Sequence, residues 1–141
     1  ERTSYTVEVT TNSTEPVPFD LHVDTGRADQ FDPNAAESDA APIEAGTYEN
    51  LSIVGQADLD IYEVELDAGE TVTASVDVQS GAGLGIFLGG DNGQPFEFNE
   101  TTDGSATASV TVDQNGTYTM NTYSTSRSPI DYDLDVEISE N

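Results

Sequence analysis

Residues 61–66 read Ile61-Tyr62-Glu63-Val64-Glu65-Leu66, and a second run with the same alternation, Val72-Thr73-Ala74-Ser75-Val76-Asp77-Val78, follows the turn Asp67-Ala68-Gly69-Glu70. Strict alternation of apolar and polar residues is typical of a β-strand that buries one face. A short acidic segment with a glycine between two such runs is a turn signal. The stretch therefore predicts two strands that contribute one face each to a hydrophobic core.

Short alternating runs continue on both sides of this stretch, and helical periodicity is almost absent. They are separated by Gly- and Asp-containing turns at the spacing that is typical of β-sandwiches. The sequence predicts an all-β, jelly-roll-like antiparallel β-sandwich. The predicted strands besides those above are Tyr5–Val9, Phe19–Val23, Tyr48–Val54, Leu84–Leu88, Ala106–Val112, Tyr118–Thr122 and Tyr132–Ile138.

The beginning of the chain repeats its end. Tyr5 to Val23 aligns with Tyr118 to Val136 at a constant offset of 113 residues and without a gap. A match at a fixed period is the signature of tandem repeats, although two threonine-rich hairpins can also resemble each other by chance. We expect a β-hairpin over residues 1–25 that resembles the last two strands of a preceding repeat. Its inward residues would be Tyr5, Val7, Val9, Phe19, Leu21 and Val23.

Two further segments complete the predicted organisation. Residues 26–45 lack alternation and are rich in Ala, Asp, Glu and Pro, which predicts an acidic linker. Residues 46–141 contain the remaining strands and form the predicted sandwich module, whose length is sufficient for a core of its own.

The chain is strongly acidic, with 28 Asp and Glu against 3 Lys and Arg and a formal net charge of -25. At molar salt the screening length falls to roughly 3 Å, so self-repulsion would largely vanish. The composition resembles that of haloarchaeal proteins. Nucleic acids and anionic membrane surfaces are excluded as partners, because both bind Lys and Arg.

Four Asn-x-Ser/Thr sequons, at Asn12, Asn50, Asn99 and Asn115, predict a glycosylated protein of the cell surface or the extracellular space. The chain has no cysteine, which excludes disulfides and thiol catalysis. No apolar run reaches the length of a membrane span, so we expect no direct insertion into a membrane.

Several segments together resemble the bacterial pre-peptidase C-terminal domain over roughly residues 29–138. They are Asp29-Gln30-Phe31-Asp32-Pro33-Asn34, Ala40-Ala41-Pro42-Ile43, Gly46-Thr47-Tyr48, Asp58-Leu59-Asp60-Ile61-Tyr62, Leu66-Asp67-Ala68-Gly69-Glu70, Asn115-Gly116-Thr117-Tyr118 and Tyr132-Asp133-Leu134-Asp135-Val136. That family is similar in fold to the collagen-binding domains of clostridial collagenases. The resemblance implies a jelly-roll sandwich without catalytic activity, carried by secreted proteases and other extracellular proteins.

The same resemblance implies a calcium site. Calcium takes six to eight oxygen ligands, and the matching positions are Asp32, Asn34, Asp58 and Asp60, with Asp29 and Glu37 as weaker candidates. The chain departs from the family pattern in having Asp32 where Glu is common and Ile61 where Trp is frequent. The alternative is that these acids are ordinary solvated residues of an acidic surface.

No catalytic motif was found: the sequence contains neither a Gly-x-Ser-x-Gly elbow nor a phosphate-binding loop. We therefore expect no enzymatic activity. Tyr62, Tyr118, Tyr132, Phe87 and Phe19 fall at inward positions of the alternation. Tyr48, Tyr123 and Phe96-Glu97-Phe98 are left as candidates for a surface that binds protein or polysaccharide.

The sequence thus predicts a non-catalytic structural or binding repeat, for adhesion or substrate binding, whose neighbours are adjacent repeats or other copies of itself. One alternative is a subunit of an extracellular filament or surface layer that donates its N-terminal hairpin to the next subunit. A second alternative is the C-terminal accessory domain of a secreted peptidase.

Overall fold

The computed structural model describes residues 6–21, 23, 27–56, 58–78, 83–90, 95–102 and 104–140, with only the backbone for 95 and 96. Within these residues the chain forms nine strands and one short 3-10 turn, Glu37–Asp39, and no helix is long and apolar enough to cross a membrane. The strands are β1 (Ala41–Pro42), β2 (Gly46–Ile53), β3 (Leu59–Leu66), β4 (Glu70–Val78), β5 (Leu84–Gly89), β6 (Pro95–Thr101), β7 (Gly104–Thr111), β8 (Gly116–Ser124) and β9 (Ile130–Glu140).

The strands form two sheets that pack as a sandwich, so the predicted all-β fold class is confirmed. The first sheet has the order β1-β3-β8-β5-β6 and the second the order β2-β9-β4-β7. Every pairing is antiparallel except that of β1 with β3. We call them sheet A and sheet B.

The apolar residues of the alternating runs face the core and the polar residues between them face the solvent, as β4 illustrates. Val72, Ala74 and Val76 are at most 1 % exposed and face the core. Thr73 and Ser75 point outward, and their hydroxyl groups pair with those of Ser109 and Thr107 on β7 at 2.8 Å. Burial of the apolar face supplies the main stabilisation, and the cross-strand hydroxyl pairs add to it.

The described N-terminal residues do not form the expected hairpin, which stays a prediction. Residues 6–21 and 23 contain no strand, Phe19 is 63 % exposed rather than inward, and Tyr5 lies outside the described residues. The physical reason is visible in the module itself. The matching strands β8 and β9 do not pair with each other: β8 lies between β3 and β5, and β9 lies between β2 and β4. The described N-terminal residues offer no strands that correspond to β2, β3, β4 and β5, with which β8 and β9 pair in the module. An isolated pair of strands is only marginally stable in water.

The segment predicted to be an acidic linker packs onto the sandwich. Phe31 contacts the rings of Tyr48 and Tyr62, each at a centroid distance of 5.4 Å. Ile43 is buried, and its amide donates to the Glu63 carbonyl at 2.9 Å. The linker therefore covers one edge of the sandwich and adds the short parallel strand β1 to sheet A.

Candidate functional site

The linker brings the predicted calcium ligands to the start of β3. The Asn34 carbonyl accepts a hydrogen bond from the amide of Ile61 at 2.8 Å, which fixes the linker against the strand. Asp60 then lies close enough to three other carboxylates, those of Asp29, Asp58 and Asp32, for their charges to act on it. Four of the six candidate residues are thus carboxylates of one acidic cluster. Glu37 is exposed in the 3-10 turn and is not among the charges that act on Asp60.

Three of the carboxylates are held by backbone amides. Asp29 accepts from the amides of Phe31 at 2.8 Å and Ser52 at 2.9 Å, one with each oxygen. Asp32 accepts from the amide of Asp29 at 2.8 Å, and Asp58 accepts from that of Val54 at 2.8 Å. These bonds fix the cluster in the folded chain.

Two of the candidate residues have buried polar side chains with unused hydrogen-bonding capacity. Asp60 is 0 % exposed and Asn34 is 1 % exposed. The Oδ1 atom of Asp60 and both polar atoms of the Asn34 side chain have no hydrogen-bond partner, although Asn34 lies beside the Tyr62 hydroxyl. Unpaired polar atoms in a protein interior are rare and cost free energy, so this arrangement requires an explanation.

The other oxygen of Asp60 joins a hydroxyl network that crosses the core. Tyr132 donates to Asp60 Oδ2 at 2.5 Å, and its hydroxyl also lies 2.7 Å from that of Tyr62 and 2.9 Å from that of Thr122. All four residues are completely buried. Tyr62 and Tyr132 were predicted to face the core, but the network between them and Asp60 was not predicted. The available signal was Asp60 itself, because it shares the inward phase of Tyr62 on β3.

The surroundings of the cluster disfavour the ionised forms of Asp60 and Asp32. Burial raises the pKa of Asp60 to about 7, and the charges of Asp29, Asp58 and Asp32 act in the same direction, while the hydrogen bond from Tyr132 acts against it. Partial burial also raises the pKa of Asp32, against the bond from the Asp29 amide. A bound cation would relieve both effects, since it neutralises the carboxylates that repel one another.

The donor chemistry fits calcium, because carboxylate and amide oxygens are its preferred ligands and two oxygens, Oδ1 of Asp60 and of Asn34, are buried without partners. As the side chains stand, however, no three acidic or histidine side chains among the described residues surround one point closely enough to hold a metal ion. Coordination of an ion at the cluster would therefore require its side chains to leave these positions, although backbone amides hold three of them.

A second candidate site lies on the outer face of sheet A, where three aromatic rings meet. Phe87 lies 4.8 Å from Phe98 and 5.0 Å from Tyr123, and Phe98 and Tyr123 stack at 6.2 Å with an interplanar angle of 15°. Phe98 is 47 % exposed. We call these three residues the aromatic face. The Tyr123 hydroxyl donates to Glu100, which anchors one end of it.

Two sequence expectations bear on this face. Phe87 was expected to point inward, which is wrong: β5 buries Leu84, Ile86 and Leu88, and Phe87 lies in the opposite phase. Tyr123 and Phe98 do lie on the surface, whereas Tyr48 packs against Phe31. The side chain of Phe96 lies outside the described part of the chain.

A glycine makes the position of Tyr123 possible. A Cβ atom on Gly85 would lie 2.1 Å from Cζ of Tyr123, so the ring rests directly on the glycine backbone. Gly85 and Tyr123 are direct neighbours across β5 and β8.

The four predicted glycosylation sites are all exposed. Asn50 adopts a left-handed backbone conformation, with φ 60°, at the irregularity of β2 between Tyr48 and Leu51. Asn99 and Asn115 use their side-chain amides to bond Thr107 and Asp67, each at 2.8 Å. Each primary amide carries two hydrogens, so one donor hydrogen would remain after attachment of a glycan.

No known protein family matches the chain by its sequence profile, and no curated protein matches it in sequence. Solved structures do match its fold. One is the pre-peptidase C-terminal domain of a collagenase from Bacillus anthracis, with a TM-score of 0.56, 18 % identity, and coverage of 70 % of this chain and 94 % of that chain. Another is PliG of Aeromonas hydrophila, a periplasmic inhibitor of g-type lysozyme, with a TM-score of 0.56, 19 % identity, and coverage of 71 % and 96 %.

The fold is similar to that of a pre-peptidase C-terminal domain. The predicted resemblance is therefore confirmed at the level of fold, and at such identities it extends no further. Both matched proteins are of non-catalytic kinds, an accessory domain and an inhibitor, on the same sandwich. Because one fold carries many functions, the function has to be argued from the sites.

Proposed function

We propose that this chain is a non-catalytic module of an extracellular or cell-surface protein that binds a neutral polysaccharide through the aromatic face. The observation that carries the proposal is the near-parallel stacking of Phe98 and Tyr123 beside Phe87 on an open sheet surface. Exposed apolar patches on soluble proteins commonly mark binding sites. The matches to an accessory domain and a periplasmic inhibitor support a module outside the cytoplasm.

The class of ligand follows from shape and charge. Aromatic rings can stack on the flat faces of sugar rings, and Phe87, Phe98 and Tyr123 offer three rings whose planes differ by 15° to 33°. The chain has only 3 Lys and Arg with which to pair an anionic polymer, so a neutral polysaccharide fits best. The acidic composition further supports a halophilic source, in which molar salt screens this charge.

Sedimentation with insoluble cellulose, chitin and collagen fibres in molar salt tests the proposal. We expect the protein to bind one of the two polysaccharides, and Phe98→Ala and Tyr123→Ala each to weaken binding at least tenfold. Thr73→Ala, on the outer face of sheet B, is the matched control and should bind as the wild type does. Binding to collagen alone, or equal binding by all variants, would contradict a polysaccharide-binding aromatic face.

We also propose that calcium stabilises the module at the acidic cluster. Asp60, Asn34, Asp58 and Asp32 would hold the ion, with Asp29 beside them, and the ion would supply positive charge to the unpaired oxygens. This proposal rests on the buried donors and does not depend on the polysaccharide.

Calcium binding can be measured by thermal unfolding and by terbium luminescence. In molar salt, calcium should raise the unfolding midpoint. At a hundredfold excess of calcium over Kd, binding should add about 2.7 kcal/mol to the free energy of unfolding. Tyr62 and Tyr132 lie beside Asp60 and should sensitise terbium bound there. Asn34→Ala and Asp58→Ala should abolish both signals, whereas the distant Asp77→Asn should keep them. Equal midpoints with calcium and with chelator would rule out the site.

A further inference from the structure

Most exposed apolar surface of the described chain lies in its N-terminal segment, residues 6–21 and 23. Of eight large hydrophobic residues that are exposed, six belong to this segment, each between 51 % and 63 % exposed: Val7, Val9, Val17, Phe19, Leu21 and Val23. Val9, Val17 and Phe19 border a common hollow of about 240 Å³, so the two halves of the segment face each other. Apolar side chains at this density indicate a surface that is covered in the assembled protein.

Each of the six residues matches a core residue of the module at the offset of 113. The matched residues are at most 2 % exposed: Met120, Thr122, Ile130, Tyr132, Leu134 and Val136. The polar residues between them, such as Glu8 and Asp20, match Asn121 and Asp133 in the outward phase. The segment therefore repeats the inward and outward pattern of β8 and β9, with a connection of the same length.

In the module, β8 and β9 each take a central place. β8 hydrogen-bonds to β3 and β5 within sheet A, and β9 to β2 and β4 within sheet B. A segment with the pattern of β8 and β9 needs a sandwich that lacks its own β8 and β9, so that both central strand positions are vacant. An intact second copy does not offer them, because its own β8 and β9 fill both.

We infer that residues 6–23 are the last two strands of another sandwich of this architecture, whose first seven strands precede them in the same protein. The junction supports this arrangement. Arg27 follows Val23 by four residues. Its side chain donates to the carbonyl of Asn50 at 3.4 Å, and the backbone carbonyl of Arg27 accepts a hydrogen bond from the Ser52 hydroxyl. At the same offset Arg27 matches Glu140, where β9 ends. One sandwich would thus end where the next begins, without a spacer.

A fusion protein tests this inference. A copy of residues 27–117 is placed directly before residue 5, so that residues 5–23 follow the copied strands β1–β7 as β8 and β9 do in the module. In the unmodified chain the amides of residues 6–23 should exchange with deuterium rapidly. In the fusion we expect them to be protected at least a hundredfold. Leu21→Asp should remove the protection, and the matched outward change Asp20→Asn should leave it intact.

A second fusion guards against a design that fails to fold for other reasons. It carries residues 27–136 followed by residues 24–141, so its first sandwich has the genuine β8 and the genuine β9 up to Val136. If that control is protected and the test fusion is not, the inference is overturned. It is also overturned if the unmodified chain forms dimers or filaments that disappear with Leu21→Asp, since a second copy would then be the partner.

Discussion

The buried carboxylate of Asp60 should make stability depend on pH in the absence of calcium. Its pKa is about 7 in the folded chain and about 4 in an unfolded one. The folded state thus holds a proton that the unfolded state has released, so stability is full below pH 4 and falls as the pH rises through 7. The loss is up to several kcal/mol.

Unfolding of the wild type and Asp60→Asn between pH 4 and pH 8, in molar salt with chelator, measures this effect. The variant should lack most of the decline and should be the more stable protein at pH 8. Asp77→Asn, an exposed acid of β4, should decline as the wild type does. Parallel curves for all three proteins would mean that Asp60 ionises normally.

Gly85 is a second residue with a testable role, because its missing side chain leaves room for the Tyr123 ring of the aromatic face. Any side chain there displaces the Tyr123 ring, since a Cβ would lie 2.1 Å from it. Alanine is otherwise favoured over glycine in a strand by about 0.5–1 kcal/mol, so Gly85→Ala should keep the fold. We expect it to weaken polysaccharide binding as Tyr123→Ala does. Gly46→Ala, where the nearest atom is 4.0 Å away, should bind normally, and equal binding by both variants would show that the ring position is unimportant.

At the scale of strands and turns, alternation predicted most of the sandwich and failed where burial is not periodic. β4 and β9 were correctly predicted because each buries every second residue over most of its length, and β3 was correctly predicted although it buries Asp60, Ile61 and Tyr62 in succession. β1 was not predicted, because a parallel strand of two residues is too short to show alternation. β6 was not predicted either, since its aromatic residue Phe98 lies outward rather than in the core. The acidic cluster followed from family resemblance alone. The contribution of Tyr132 to it depends on a contact between residues 72 positions apart, which no local pattern contains.

One turn-to-turn contact gives a test at this scale. Asn115, in the connection from β7 to β8, accepts from the amide of Ala68 at 2.9 Å and donates to Asp67 at 2.8 Å in the turn from β3 to β4. Asn115→Ala should lower the free energy of unfolding by about 1 kcal/mol in unglycosylated protein. Asn12→Ala removes a sequon as well but lies in the exposed N-terminal segment. A loss of equal size in both variants would contradict the contact.

The whole molecule carries a large excess of negative charge, and part of it lies at directly opposed positions of one sheet. Besides the net charge of -25, the register of β4 and β9 places Asp77 opposite Asp133 and Glu70 opposite Glu140. Like charges at directly opposed positions destabilise a sheet. The screening length is about 10 Å at 0.1 M salt and about 3 Å at 1 M, so these repulsions fade over that range.

Stability should therefore rise steeply with sodium chloride up to about 1 M and more gently above it. Exclusion of salt from the surface would instead give a rise that continues evenly with concentration. Unfolding midpoints from 0.1 M to 3 M, with chelator present, separate these two shapes. The double variant Asp77→Asn and Glu140→Gln removes one charge from each opposed pair, so it should be more stable than the wild type at 0.1 M and equal to it at 3 M. A midpoint that is independent of salt, or a constant difference between the two proteins, would show that charge repulsion does not limit the stability of this sandwich.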